Sequence, residues 1–97
     1  MSKPAYLVVD AKGSDPQKMA EYRRLAQIAV EKFGGSYLVR GGAYEVLEGS
    51  WRPERLVVVS FPDMAAAGAF YDSPEYIAAR EARAGASDFD MLLVEAY

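Results

Sequence analysis

The 97-residue sequence contains no cysteine and no histidine. Without cysteine there is no thiol nucleophile, no disulfide, no iron–sulfur cluster and no zinc site that needs thiolate ligands. Without histidine the chain lacks the commonest general base, the commonest metal ligand and the usual protein ligand of haem iron. These two absences exclude several classes of enzyme, and we expect the protein to use no cofactor.

The sequence also lacks an excess of positive charge and any long apolar run. Its net charge of -3 and isoelectric point near 4.9 do not fit a nucleic-acid-binding protein. No segment approaches the roughly 20 apolar residues of a membrane span, and the N-terminal apolar run is too short for a secretion signal. We therefore expect a cytoplasmic protein, with neither nucleic acid nor membrane as a partner, folded as one domain over residues 1–97.

Apolar spacing and turn residues predict four strands and two helical regions, the second of them interrupted. The predicted strands are residues 5–12, 36–40, 55–61 and 88–96, with a strand extension at 43–47 beyond a bulge or kink at Gly41-Gly42. The predicted helices are residues 16–33, 64–71 and 74–84, with N-cap oxygens from Ser14-Asp15, Asp63 and Ser73. The order β-α-β-β-α-β is that of the α+β ferredoxin-like fold with a four-stranded antiparallel sheet.

The strands are too apolar for a sheet with one solvated face. Residues 56–59 and 91–94 are apolar without interruption, although successive residues of a strand face opposite sides. The helices of one chain can cover one face, and the other needs a different cover. The least costly cover is a second copy, so we expect a homodimer in which two sheets pack as a dimeric α/β barrel.

Three segments carry a resemblance to a known family. Residues 37–42 (YLVRGG), 48–55 (EGSWRPER) and 70–76 (FYDSPEY) resemble the signature blocks of the domain of unknown function 1330 family. The resemblance implies the ferredoxin-like fold of the dimeric α/β-barrel superfamily and no established activity. Distant relatives in that superfamily include cofactor-free monooxygenases, lactone isomerases and haem-dependent peroxidases, many of which use a histidine that this chain lacks.

Arg40 is the first candidate site residue. It ends an otherwise apolar strand beside two glycines that would let a ligand approach the backbone. A guanidinium there is suited to hold a carboxylate or enolate by paired hydrogen bonds. The alternative is an internal ion pair with Glu45 or Glu48.

Further candidates are aromatic or basic and lie near the resembling segments. Trp51 either walls a pocket or caps the barrel end, and Arg55 either meets Glu48 or binds a ligand anion. The phenols of Tyr37, Tyr44 and Tyr71 suit a pocket with apolar walls and a few polar tips, although packing explains many of the tyrosines equally well. Tyr22 and Phe70 are assigned to the core by helical spacing.

Two charged pairs have simpler interpretations. Asp88 and Asp90 lie two apart on a strand, which places both carboxylates on one side, but a solvated strand entry explains them better than a divalent cation does. Arg80 and Arg83 are interpreted as a solvated helix face. Two functions remain open: a protein that binds, or modifies without cofactor, a small apolar acid or phenol, and a purely structural or interaction homodimer.

Overall fold

Within residues 2–97, which the computed structural model describes, four strands and three helices form in the predicted order. They are β1 (Ala5–Asp10), α1 (Pro16–Lys32), β2 (Ser36–Arg40), β3 (Leu56–Phe61), α2 (Met64–Asp72), α3 (Pro74–Ala82) and β4 (Asp90–Glu95). No helix in this range is both long enough and apolar enough to cross a bilayer.

The four strands form one antiparallel sheet in the spatial order β2-β3-β1-β4. Helix α1 joins β1 to β2, and helices α2 and α3 join β3 to β4. In each case the two strands are separated in the sheet by one other strand. All three helices lie on one side of the sheet. This is the ferredoxin-like α+β arrangement that the sequence predicts, and the fold prediction is confirmed.

The helices begin at the predicted caps. The Asp15 carboxylate accepts hydrogen bonds from the backbone N–H groups of Gln17 and Lys18, at 3.0 and 3.1 Å. Ser73 separates α2 from α3: its hydroxyl donates to the carbonyl of Phe70 at 2.7 Å and accepts from the N–H of Tyr76 at 3.1 Å. One buried serine therefore ends one helix and starts the next.

The core lies between the sheet and the helices. Leu7 and Val9 of β1 and Val59 of β3 point toward the helices and are buried. They meet Phe70 of α2 and Tyr76 of α3, each about 1% exposed. Because alternate residues of a strand face opposite sides, the residues between them point away from this core.

The side of the sheet that no helix covers is also apolar, and we call it the open face. It consists of Tyr6, Val8, Val39, Leu56, Val58, Leu92 and Val94, as the strand registers show. Leu92 is 58% exposed and Val94 is 44% exposed. The protomer measures only 16 Å along its shortest axis, as expected of one sheet and one helix layer.

The sequence predicts a bulge or kink at Gly41-Gly42, and the bulge of β2 lies before that position. Tyr37 pairs with Val59 but Val39 pairs with Val58, so the extra residue in β2 is Leu38. After this bulge Arg40 lies opposite Val57, whose side chain faces the helices. Arg40 is therefore on the helix side of the sheet.

The strand extension predicted at residues 43–47 is also wrong, because this segment is a loop. Its neighbour β3 begins at Leu56, so a longer β2 would find no strand to pair with beyond Arg40. Gly41, with φ +74°, turns the chain away from the sheet. The loop is braced internally by the Tyr44 hydroxyl, which donates to the carbonyl of Pro53 at 2.6 Å.

Candidate functional site

A cavity of about 40 Å³ lies between α1 and the helix side of the sheet. Its apolar walls come from the strands, from the helices and from the residue before β4: Leu7, Val9, Val30, Val57, Val59, Phe70 and Phe89. Its polar lining consists of the side chains of Tyr22, Tyr37, Tyr76, Arg23, Arg40 and Arg55. No aspartate or glutamate of residues 2–97 lines it, so the cavity combines apolar walls with positive charge.

Three arginines from different elements reach this cavity. Arg23 comes from α1, Arg40 from the end of β2, and Arg55 from the residue before β3. None of the three forms an ion pair in the part of the chain that the structure describes. Arg23 and Arg55 are half-buried and Arg40 is exposed at the rim. Three guanidinium groups without carboxylate partners around one cavity attract an anion.

Arg40 is held by uncharged groups. Its Nη1 donates to the amide oxygen of Gln27 at 3.0 Å, and its guanidinium carbon lies 4.2 Å from the centre of the Tyr37 ring. The ion pair considered for Arg40 with Glu45 or Glu48 does not form. The side chain is thus oriented toward the cavity rim while its charge stays uncompensated.

Arg55 occupies a position that depends on Gly41. A Cβ at position 41 would come within 2.5 Å of the Nη1 atom of Arg55, and the backbone there has φ +74°. Any side chain at this position would be strained and would also displace the guanidinium group. The glycine after β2 therefore makes room for an arginine that precedes β3.

Two phenols, Tyr22 of α1 and Tyr76 of α3, meet at the cavity wall. The hydroxyl oxygens of Tyr22 and Tyr76 are 2.7 Å apart, so one hydroxyl donates to the other. Two hydroxyl protons are present and one is used in this bond, which leaves one O–H able to donate to a ligand. Burial raises the pKa of Tyr22, and the contact with Tyr76 raises it further.

The phenols of the cavity remain uncharged at neutral pH. Burial raises the pKa of Tyr76, with partial opposition from its bond to Tyr22 and from Arg83 nearby. Burial also raises the pKa of Tyr37, and Arg40 lowers it in part. All three tyrosines are therefore hydrogen-bond donors rather than bases.

A wider cleft opens to solvent beside the cavity. Its volume is about 400 Å³, and Gly13, Ser14, Pro16 and Gly41 form part of its wall. The residues shared by the cleft and the cavity are Ala11, Met19, Arg23 and Arg55. These shared residues separate the two spaces.

The structure brings together three of the six residues proposed from the sequence. Arg40, Tyr37 and Arg55 line the cavity. Tyr44 braces the loop after β2, and the indole Nε1 of Trp51 donates to Asp10 at 3.4 Å at the end of the open face. Tyr71 lies beneath Arg80 on α3, so these last three predicted residues are away from the cavity.

Sequence reasoning missed Arg23, Met19 and the two buried phenols as lining residues. Helical spacing assigned Tyr22 to the core, and the structure does pack Tyr22 against the core cluster that contains Tyr76. Arg23 left a signal: it lies four residues after Met19 and three before Ala26, within the apolar stripe of α1. Its place in that stripe puts Arg23 on the side of α1 where the cavity lies.

The interpretation of Arg80 and Arg83 as a solvated face is wrong. Both are half-buried, and their Nε atoms are inaccessible to solvent and without a hydrogen-bond partner. Arg80 stacks on Tyr71 at 4.2 Å and Arg83 on Phe89 at 4.0 Å. The aromatic rings provide a cover that helical charge patterning alone does not reveal.

Asp88 and Asp90 are both exposed at the entry to β4. Asp90 accepts a hydrogen bond from the ammonium group of Lys12 at 2.7 Å, and this bond raises the pKa of Lys12. Residues 2–97 contain no group of three or more side chains placed to hold a metal ion.

The chain belongs to the family described as domain of unknown function (DUF1330), whose model matches residues 4–97. The resemblance noted in the sequence is thereby confirmed. No curated protein matches the chain at a significant level.

Several solved structures share the fold at low identity. A protein of unknown function from Rhodopseudomonas palustris is 18% identical, with 100% of this chain and 85% of that chain covered and a TM-score of 0.75. SnoaB from Streptomyces nogalater, a cofactor-independent oxygenase, is 11% identical over 100% and 95%, with a TM-score of 0.62. A dimeric ferredoxin-like protein of unknown function from Jannaschia sp. CCS1 is 13% identical over 96% and 99%, with a TM-score of 0.63. At these identities the likeness establishes the fold.

Proposed function

We propose that this protein binds a small apolar acid, as its carboxylate, or a phenol acidic enough to be ionised at neutral pH, in the cavity between α1 and the sheet. The observation that carries the proposal is the convergence of Arg23, Arg40 and Arg55 on one apolar cavity without a carboxylate partner. A guanidinium group binds a carboxylate through two parallel hydrogen bonds, and a charged hydrogen bond of this kind contributes about 1.5–3 kcal/mol.

The walls define the rest of the ligand. Leucine, valine and phenylalanine side chains surround the space behind the arginines. Burying apolar ligand surface against them contributes about 25 cal/mol per Å². An inorganic anion would satisfy the arginines and leave these walls unused, so an acid with an apolar body fits better.

The ligand arrives already ionised. No carboxylate of the described residues lines the cavity, the chain has no histidine, and burial keeps the tyrosines neutral. The cavity therefore supplies donors and positive charge but no general base. A second ligand oxygen would find the spare O–H of the Tyr22–Tyr76 pair.

The proposal includes a homodimer formed through the open face. Val8, Val58 and Leu92 lie side by side in the middle of this face, and leaving them in water costs free energy in proportion to their area. The partner that presents a matching apolar sheet is a second copy related by a two-fold axis. The relative from Jannaschia, whose structure is described as dimeric, has the same fold.

The ligand proposal is tested by titration calorimetry with benzoate and with its neutral isostere benzamide. We expect benzoate to bind and benzamide to bind at least about tenfold more weakly, because the amide lacks the charge that the arginines attract. Arg40→Ala is expected to weaken benzoate binding about 10- to 100-fold.

Arg24→Ala is the matched control, since Arg24 follows Arg23 on α1 but pairs with Glu21 on the surface. Its benzoate affinity should equal that of the wild type. Equal binding of acid and amide, or an unchanged affinity in Arg40→Ala, would contradict the proposal and favour a dimer with a purely structural role. Native mass spectrometry of freshly purified protein provides a second reading, because a co-purified acid adds its mass to each chain.

A further inference from the structure

Met19 is buried but lies apart from the main core. It is in the first turns of α1 and 7% exposed, yet the contiguous core cluster of the described residues does not include it. Its side chain lines both the cavity and the outer cleft. Met19, Arg23 and Arg55 thus form a partition between these two spaces. Met19 is its flexible apolar side chain, and the two arginines are its charged side chains.

The cavity is too small for a ring while this partition stands. Its volume of about 40 Å³ is roughly a quarter of the 150 Å³ cavity that accepts benzene in an engineered protein. On the other side of Met19 the cleft measures about 400 Å³. A ligand with an aromatic or branched body therefore needs space that becomes available when the Met19 side chain moves.

The surroundings of Met19 allow such a movement. Methionine has three rotatable side-chain bonds and adapts to irregular spaces. Its sulfur lies directly over Gly13, where even a Cβ would overlap it. The Met19 side chain thus occupies the space that a side chain at position 13 would fill.

We propose that Met19 determines the size of the ligand by setting how far the cavity extends into the cleft. The inference rests on the proposed binding of an organic anion at the three arginines. In the wild type a single ring is accommodated when the Met19 side chain moves aside, and without that side chain the cavity and the cleft form one elongated pocket. Met19 touches the body of the ligand and leaves its anion to the arginines.

The test compares benzoate with 2-naphthoate, which carries one more ring, in wild type, Met19→Ala and Met19→Leu. We expect Met19→Ala to shift the ratio of the two dissociation constants at least about tenfold in favour of 2-naphthoate, the scale on which a few carbon atoms are discriminated in apolar pockets. Met19→Leu, which keeps most of the volume, should shift the ratio by a smaller factor. Benzoate itself should bind Met19→Ala at least as tightly as it binds the wild type, because its contacts to the arginines persist and its ring no longer has to displace the Met19 side chain.

Met64→Ala is the control, since Met64 is exposed at the start of α2, remote from the cavity. Its selectivity should not change. If Met19→Ala does not fold, the ratio of the two dissociation constants in Met19→Leu decides whether Met19 limits the size of the ligand. A ratio that stays constant while both acids bind would overturn the role of Met19 and leave the proposed function intact. Absence of binding of both acids to every variant, wild type included, would overturn the proposed function itself.

Discussion

The two faces of the same sheet differ in what covers them, although their strands are equally apolar. On the helix side Val59 is 2% exposed under α2 and α3, whereas its neighbour Val58 on the open face is only half-buried. The residues are identical and adjacent, so composition does not distinguish the two faces. The difference teaches that a strand apolar in both directions needs a cover on each side, of which the helices of this chain supply one.

The charged groups of the two faces differ in their partners: those of the open face have hydrogen-bond donors, and those of the covered, helix side have no carboxylate. On the open face Asp10 is buried but satisfied, since its carboxylate accepts from the N–H of Glu54 at 2.9 Å and from the Trp51 indole. On the helix side Arg23, Arg40 and Arg55 have no carboxylate partner. An apolar face with satisfied polar groups suits another protein surface, and an apolar cavity with unpaired cations suits a small anion.

The largest effect is expected from a charge in the middle of the open face. Val8→Arg places a guanidinium group in both copies of the proposed interface, where an uncompensated charge costs about 3–5 kcal/mol. The dimer dissociation constant should rise at least about 100-fold in sedimentation velocity.

Ile28→Arg provides the comparison for that variant, because Ile28 is 48% exposed on the outer surface of α1. It adds the same charge and should leave the dimer unchanged. A Val8→Arg protein that sediments as the wild type does would show that the open face is not the interface.

A smaller effect separates the two faces with the same substitution at adjacent positions. Val59→Ala removes buried methyl groups and should lower the free energy of unfolding by about 2 kcal/mol, with the dimer dissociation constant unchanged. Val58→Ala should do the reverse: little change in urea unfolding and a dissociation constant about tenfold higher. Equal effects of the two substitutions on both quantities would remove the distinction between the faces.

The smallest effect concerns the two phenols that meet at the cavity, those of Tyr22 and Tyr76. In the unfolded chain Tyr22 and Tyr76 ionise near pH 10. In the folded protein they ionise at higher pH, because burial raises both pKa values. Above pH 10 the unfolded state therefore binds fewer protons than the folded state, and stability falls by up to about 1.4 kcal/mol per pH unit for each tyrosine.

Tyr22→Phe removes one of these groups and isolates its contribution from that of the lysines. At pH 7 the variant should be less stable by about 1 kcal/mol, since the bond to Tyr76 is lost. In urea unfolding the difference from the wild type should shrink as the pH rises from 10 to 11. A constant difference would mean that water reaches the phenol in the folded state.

The sequence predicted the fold well because the signals for it are local. Asp15 and Ser73 cap the helices as expected, and the apolar run in β3 identifies a strand with two apolar faces. These features depend on residues within a few positions of one another. The family resemblance at residues 37–42, 48–55 and 70–76 agreed with them.

The site was harder to predict because it depends on register and on distant contacts. A single extra residue at Leu38 moves Arg40 to the helix side, and apolar patterning does not locate such a bulge. Arg23 joins Arg55 only through the packing of α1 on β3. Tyr44, Trp51 and Tyr71 have the right chemistry for a pocket wall, but the fold places them elsewhere.

The measurement that tests the division between the two faces most directly is native mass spectrometry at low micromolar concentration, with benzoate present. The wild type should appear at twice the 10.6 kDa chain mass, with up to one benzoate per chain. Arg40→Ala should remain a dimer without ligand, and Val8→Arg should be a single chain that still binds. A wild-type protein that is monomeric, or an Arg40→Ala dimer that holds benzoate as well as the wild type does, would contradict the account.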